Sequence, residues 1–242
     1  MKYVVLTMVD RDDLIDGGAG QVARTVTALR ERCPELLVET LVGDFRGRQA
    51  DVATVLDSGP DVFAHNIEVV RRLTPTIRDA RCRYDTSLAV LAAAKRRAPE
   101  RFVKSSIMVG IGEEPGEVLQ TLADLRAAGA DIVTLGQYLR PTPKHAEVAR
   151  YVTPAEFADY EIEAKTLGFS FVASGALVRS SYHAAEGFVA ARLGIRAGGA
   201  PAAPGVDDAL REASEAAASP LIPLDSLLKR RRSVSGEAPP NK

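Results

Sequence analysis

Soft metal ligands are scarce in this chain. Only two of its 242 residues are cysteines, Cys33 and Cys82, and they lie far apart in charged surroundings. A structural zinc site or an iron–sulfur centre takes three or four closely spaced soft ligands, usually thiolates, and the chain cannot supply such a set alone. Both cysteines therefore read as ordinary, partly buried thiols of a reducing compartment. Histidine is equally thin: His65, His145 and His183 stand at no zinc spacing and read as hydrogen-bonded surface or loop side chains. Long apolar runs are lacking too. The opening Met1–Leu6 run is too short for a signal peptide, and no stretch approaches the roughly 18 apolar residues of a membrane span. A cytoplasmic, soluble protein is expected. Charge of one sign is also missing: 31 basic residues face 32 acidic ones, which argues against nucleic acid or an anionic membrane surface. A small metabolite or a protein partner is the expectation.

What is present suffices for one substantial core, at 46% hydrophobic and 26% charged residues. Short runs rich in β-branched residues alternate with segments of helical period, the pattern of parallel strands joined by crossover helices. Strands are predicted at 3–9, 36–42, 61–66, 103–109, 131–137 and 169–173. Helices are predicted through Arg32 after a glycine-rich turn, at 115–128, and from Thr153, where Thr153, Pro154 and Glu156 read as N-cap, first-turn proline and capping-box glutamate. About six βα units suit a partial barrel or an open doubly wound sheet. Both put ligands at the carboxyl ends of the strands, and there stand Asp10 to Asp13, Asp44, Asn66 and Glu68, Gly110 to Glu113, Gln137 and Arg140, and Ser174-Gly175. From about Gly194 the chain turns Ala-, Gly- and Pro-rich, with a basic run at Lys229 to Arg232. Two parts are expected: a barrel domain over 1–194 and a flexible tail over 195–242.

Gly110-Ile111-Gly112-Glu113 directly after a strand lets backbone approach a ligand. It is not a dinucleotide fingerprint, because the third glycine and a later strand-end acid are missing, and no Walker lysine follows.

Six motifs in order carry a more specific signal: Val9 to Leu14 with Asp16-Gly17-Gly18, His65 to Glu68, Lys104 to Glu113, Gly136 to Thr142, Arg150 to Pro154, and Ala173 to Tyr182. Over 1–186 the chain resembles the lipoyl synthases of the radical S-adenosylmethionine (SAM) superfamily. The resemblance implies an α/β fold, a partial (β/α) TIM-type barrel of about six parallel strands with the first barrel strand missing. It implies a sulfurtransferase that inserts two sulfur atoms at C6 and C8 of a protein-bound octanoyl chain, with SAM and [4Fe–4S] clusters as cofactors. The implied partners are an octanoylated lipoyl carrier domain or H protein and a separate N-terminal polypeptide, because the family's two cluster-binding cysteine triplets precede the strand that begins here at Tyr3. By the same resemblance, Asp10, Arg11, Asp12, Lys104, Ser105, Gly110 and Glu113 would face the methionine end of SAM, Asn66 the ribose, and Gln137 to Arg140 the adenine side, with Glu68 also among the cofactor-binding residues. Ser180 or Ser181 would be an iron ligand. Met8, Val69, Ser106 and Ala176 depart from the family pattern, standing where a small hydroxyl residue, threonine, glycine and proline are usual. Three readings remain open here: a lipoyl synthase, inactive as this chain alone; a diverged, non-catalytic paralogue that binds SAM or the carrier domain; and, from fold-level analogy alone, an unrelated barrel enzyme using Asp and Lys residues for acid–base chemistry.

Overall fold

The structure, a computed structural model, describes residues 3–180. The expected tail lies outside the described residues, as does Ser181. Six strands form one parallel sheet: β1 (Tyr3–Thr7), β2 (Leu37–Leu41), β3 (Val62–Ala64), β4 (Phe102–Val109), β5 (Ile132–Gln137) and β6 (Phe171–Gly175). They stand side by side in chain order. This is the expected partial barrel. Between them run α1 (Ala19–Arg32), α2 (Gln49–Asp57), α3 (Thr74–Ile77), α4 (Tyr84–Arg97), α5 (Pro115–Ala127) and α6 (Pro154–Thr166).

Side-chain alternation along the strands separates two cores. Outward-facing Phe63, Val103, Ile107, Val133, Leu135 and Val172 meet the helices through Val52, Leu91, Leu122 and Phe157. Each such fully buried aliphatic or aromatic side chain contributes about 1.5–3 kcal/mol from area removed from water. α1 turns Val22, Val26 and Leu29 against Val4, Leu6 and Val38 in a satellite of that layer, the face its period predicts. On the inner face, Tyr3, Leu37, Val62, Phe102, Ile132 and Phe171 plug the amino-terminal end of the barrel. The predicted capping box at the start of α6 is present, with Thr153 and Glu156 each bonded to the other's backbone amide.

The strand bounds depart from the sequence expectation by a residue or two, and at β1 and β6 the cause is visible. β1 stops at Thr7: Met8 still donates to Leu41, but Val9 is turned into solvent. β6 starts at Phe171 because Gly168, at φ 88, ends the α6 turn, and the Phe169 amide still bonds Ala164 in α6. Among the described residues no helix is long and apolar enough to cross a membrane.

Candidate functional site

The carboxyl ends of β1 to β3 open into a cleft of ≈ 230 Å³ lined by Met8, Asp10, Leu41, Val42, Gly43, Asp44, His65, Asn66, Glu68, Arg78 and Cys82. Its shape starts with β3. After Ala64 pairs with Lys104, the ladder to β4 resumes one residue late, at Glu68 against Ile107. This bulge turns both Asn66 and Glu68 toward the cleft. Glu68 takes φ 68, a left-handed conformation that costs a non-glycine residue about 1 kcal/mol or more. Its backbone is clamped on both sides by Ser106 O at 3.1 Å and the Met108 amide at 2.7 Å. Burial pushes the Glu68 carboxyl up, against a hydrogen bond from Asn66 and the charge of Arg78. The Asn66 Oδ1 atom is buried and has no partner.

His65 is a hydrogen-bonded loop histidine, as expected, but it is buried and not at the surface. It is 3% exposed, with Nδ1 2.9 Å from Val42 O and Nε2 2.9 Å from Ser87 Oγ. Burial holds its pKa down, and its two bonds join the segments after β2 and β3 to α4 at the cleft wall.

Next to the cleft, the loops after β1 and β2 are locked together. Phe45, Arg46 and Gly47 all have positive φ, at 48, 54 and 73, and this left-handed turn swings Phe45 into the core against Gly17. Asp12, expected to face a ligand, accepts from Arg46 Nη2 at 2.9 Å and from Arg81, tying together three strand-end loops. Arg11 is paired with Asp13 at 2.6 Å in solvent. Asp10 alone of the Asp10 to Asp12 group lines the cleft.

On the β4 and β5 side the expected site residues mostly serve the scaffold. Lys104 is 1% exposed and donates to both oxygens of Glu39, at 2.8 and 3.0 Å, inside the barrel and below the cleft. Ser105 points to the opposite face, where Oγ accepts from the Ile67 amide at 3.1 Å. Glu113 folds back to accept from the Gly110 and Ile111 amides at 2.6 and 2.9 Å. Gln137 ties down the next loop through Arg150 O and the Val152 amide. Gly110 leaves room for that contact: at φ 97, a Cβ there would meet Gln137 Nε2 at 2.2 Å. Arg140 is exposed and bonds His145 O and Glu147. Ser180 lies half-buried in the turn after β6.

Asp44, Arg78 and Cys82 line the cleft without having been singled out as ligand contacts. Asp44 had a signal, its place at the end of a predicted strand; Arg78 and Cys82 arrive on the β3-to-α4 connection, and no periodicity announces them.

No protein-family model matches the chain. Lipoyl synthase from Sorangium cellulosum is 57% identical over 219 residues, covering 85% of this chain and 59% of that protein. Lipoyl synthase from Thermus thermophilus is 55% identical over 191 residues, 79% of this chain and 59% of that protein. The apicoplast lipoyl synthase of Toxoplasma gondii is 56% identical over 77% of this chain and 34% of its own length. The chain thus spans less than two thirds of the length of these relatives. Among solved structures, methylornithine synthase (PylB) shares the fold, with TM-score 0.55 at 15% identity over 73% of this chain and 58% of that one. Identity above one half over about four fifths of the chain shows that it belongs to the lipoyl synthase family.

Proposed function

We propose that this chain supplies the SAM-orienting part of a lipoyl synthase, which inserts two sulfur atoms into an octanoyl chain on a lipoyl carrier domain or H protein. The observation that carries the reading is the buried, unpartnered Asn66 Oδ1 at the cleft. An acceptor without a donor is costly when buried, and a ligand hydroxyl such as a ribose would satisfy it. The charges agree. Asp10, Asp44 and Glu68 outnumber Arg78 among the charged lining residues, an excess of acid that suits the sulfonium and ammonium of SAM.

A [4Fe–4S] cluster does not fit the described residues. Cys33 is exposed at the end of α1 and Cys82 sits alone in the cleft, and among the described residues no three candidate ligands converge. The part left to the cleft residues is to bind and orient: Asn66 and Glu68 toward hydroxyls, and Asp10 and Asp44 toward positive charge.

The test is calorimetric titration of the full chain with SAM, followed by assay of octanoyl-carrier conversion after adding a polypeptide with the family's two cysteine triplets. SAM binding with dissociation in the high micromolar range, on the order of 5 kcal/mol, and sulfur insertion on complementation are expected. Binding without conversion would make the chain a non-catalytic SAM binder. Absence of both would overturn the reading.

A further inference from the structure

Beside the cleft lies a second, smaller cavity, of ≈ 30 Å³, between the loops after β1 and β2. That is room for a water molecule or two, and hence for one added methylene group. Its apolar lining is Met8, Leu14, Ile15 and Phe45. Met8, Asp10, Gly43 and Asp44 line both this cavity and the cleft, so these four residues are the partition between them. Gly43 has no side chain, and Asp10 and Asp44 end in carboxylates. Met8 is the one apolar side chain among the four.

Local structure fixes where Met8 goes. Its amide donates to Leu41 O at 3.3 Å and keeps the end of β1 on β2, whereas the next residue, Val9, is turned into solvent. The Met8 Cε atom lies 3.2 Å from where a Gly18 Cβ would stand, so the thioether runs to the start of α1 and packs on the core there. Met8 stands where the family resemblance has a small hydroxyl residue. A side chain of that size would leave the two cavities joined.

A cation held by Asp10 and Asp44 sits against this wall, because both carboxylates belong to it. A substituent that the cation turns away from the open cleft meets Met8. We propose that Met8 selects the ligand by size at this corner, closing off the side cavity so that a sulfonium carrying a methyl group fits and one carrying a larger alkyl group does not. The inference rests on the SAM reading. One added methylene in a closed apolar site changes affinity about ten- to 200-fold, which suffices for selection. With a small residue at position 8 the added group enters the side cavity, against Leu14, Ile15 and Phe45, and the selection is lost.

The test measures binding of SAM and its S-ethyl analogue to the full chain by NMR, in wild type and in the M8S, M8T and M8L variants, each melted first to confirm folding. The chain has three methionines, Met1, Met8 and Met108, so isotopic labelling of their methyl groups gives three signals, and the one missing from M8L is that of Met8. In the wild type SAM should shift the Met8 signal, and the S-ethyl analogue should bind about tenfold more weakly or worse. M8S and M8T should narrow the gap to about threefold or less, and M8L, which keeps the bulk, should preserve it. Should a small residue at position 8 unfold the chain, the wild-type gap and the Met8 shift decide alone. A wild type that binds both ligands alike, a Met8 signal unmoved by saturating SAM, or a gap that M8S and M8T leave unchanged would overturn the proposal while leaving the SAM reading intact. So would a gap lost equally in M8L. Failure of the wild type to bind SAM would overturn that reading and this inference together.

Discussion

Lys104 reaches across the barrel from β4 to grip both carboxylate oxygens of Glu39 on β2, with β3 passing between the two strands. Both side chains are 1% exposed, and the Tyr3 hydroxyl donates to the same carboxylate. Removing one partner strands a charge in the interior, which costs about 3–5 kcal/mol, whereas replacing both by apolar side chains is often close to neutral. E39Q is expected to lower the urea midpoint strongly and the E39M/K104M double variant far less. Equal losses in the two would show that the pair is not coupled.

Acid should weaken the fold in two separate windows. His65 has its pKa held below 6.5 by burial, so the unfolded chain takes up a proton more readily than the folded one. Stability from this group is full at high pH and falls as the pH drops through 6.5. Glu117, lowered to about 2 by Arg72 and the Glu114 amide, acts in the same direction only between 4.5 and about 2. Equilibrium unfolding at pH 8 and pH 5.5 should show the first loss, and His65→Gln should flatten it; an unchanged slope in that variant would refute the assignment.

Two left-handed glycines should respond very differently to alanine. At Gly110 the φ of 97 combines with a Cβ position 2.2 Å from Gln137 Nε2 and 2.6 Å from Arg150 O. At Gly59 the φ is 87 and nothing lies within 4 Å. Gly59→Ala should cost only the left-handed penalty, roughly 1–2 kcal/mol, and Gly110→Ala clearly more, with the loop at 149–152 released to hydrogen exchange. Thermal melts of the two variants check the order.

The loop latch at Asp12 should matter for order more than for stability. Its arginine partners are 61% and 66% exposed, and such pairs contribute about 0–1 kcal/mol each. Asp12→Asn is expected to leave the melting temperature nearly unchanged while speeding amide exchange in the loops at 44–47 and 79–83, more so at low salt. A melting temperature lowered by many degrees would contradict this.

How much could be read from the sequence depended on whether the signal was local. β-branched runs, the Thr153 to Glu156 capping box and the helix-facing side of α1 were legible because each rests on neighbours within a turn or two. Strand-end polarity located the face that carries the cleft, with Asp10, Asp44, Asn66 and Glu68 lining it. The fate of each polar side chain was not legible. Ser105 and Ser106 are adjacent and alike, yet strand alternation sends one to the helices and the other to the barrel interior. Lys104 looks like a ligand for a carboxylate, and so it is, but the carboxylate belongs to Glu39, 65 residues away. His65 gave no hint of burial, because its partners Val42 and Ser87 come from other elements.

The chain-order arrangement of the strands has a consequence for how the protein forms. Each strand pairs with the strands before and after it in sequence, so no pairing waits for a distant segment, and the largest loop to be closed is one crossover helix. Low sequence separation between contacts favours rapid folding, and an N-terminal unit can begin to order while later residues are still being synthesised. Among the described strands, a sheet built this way grows by accretion, each strand docking on the one that precedes it in the chain.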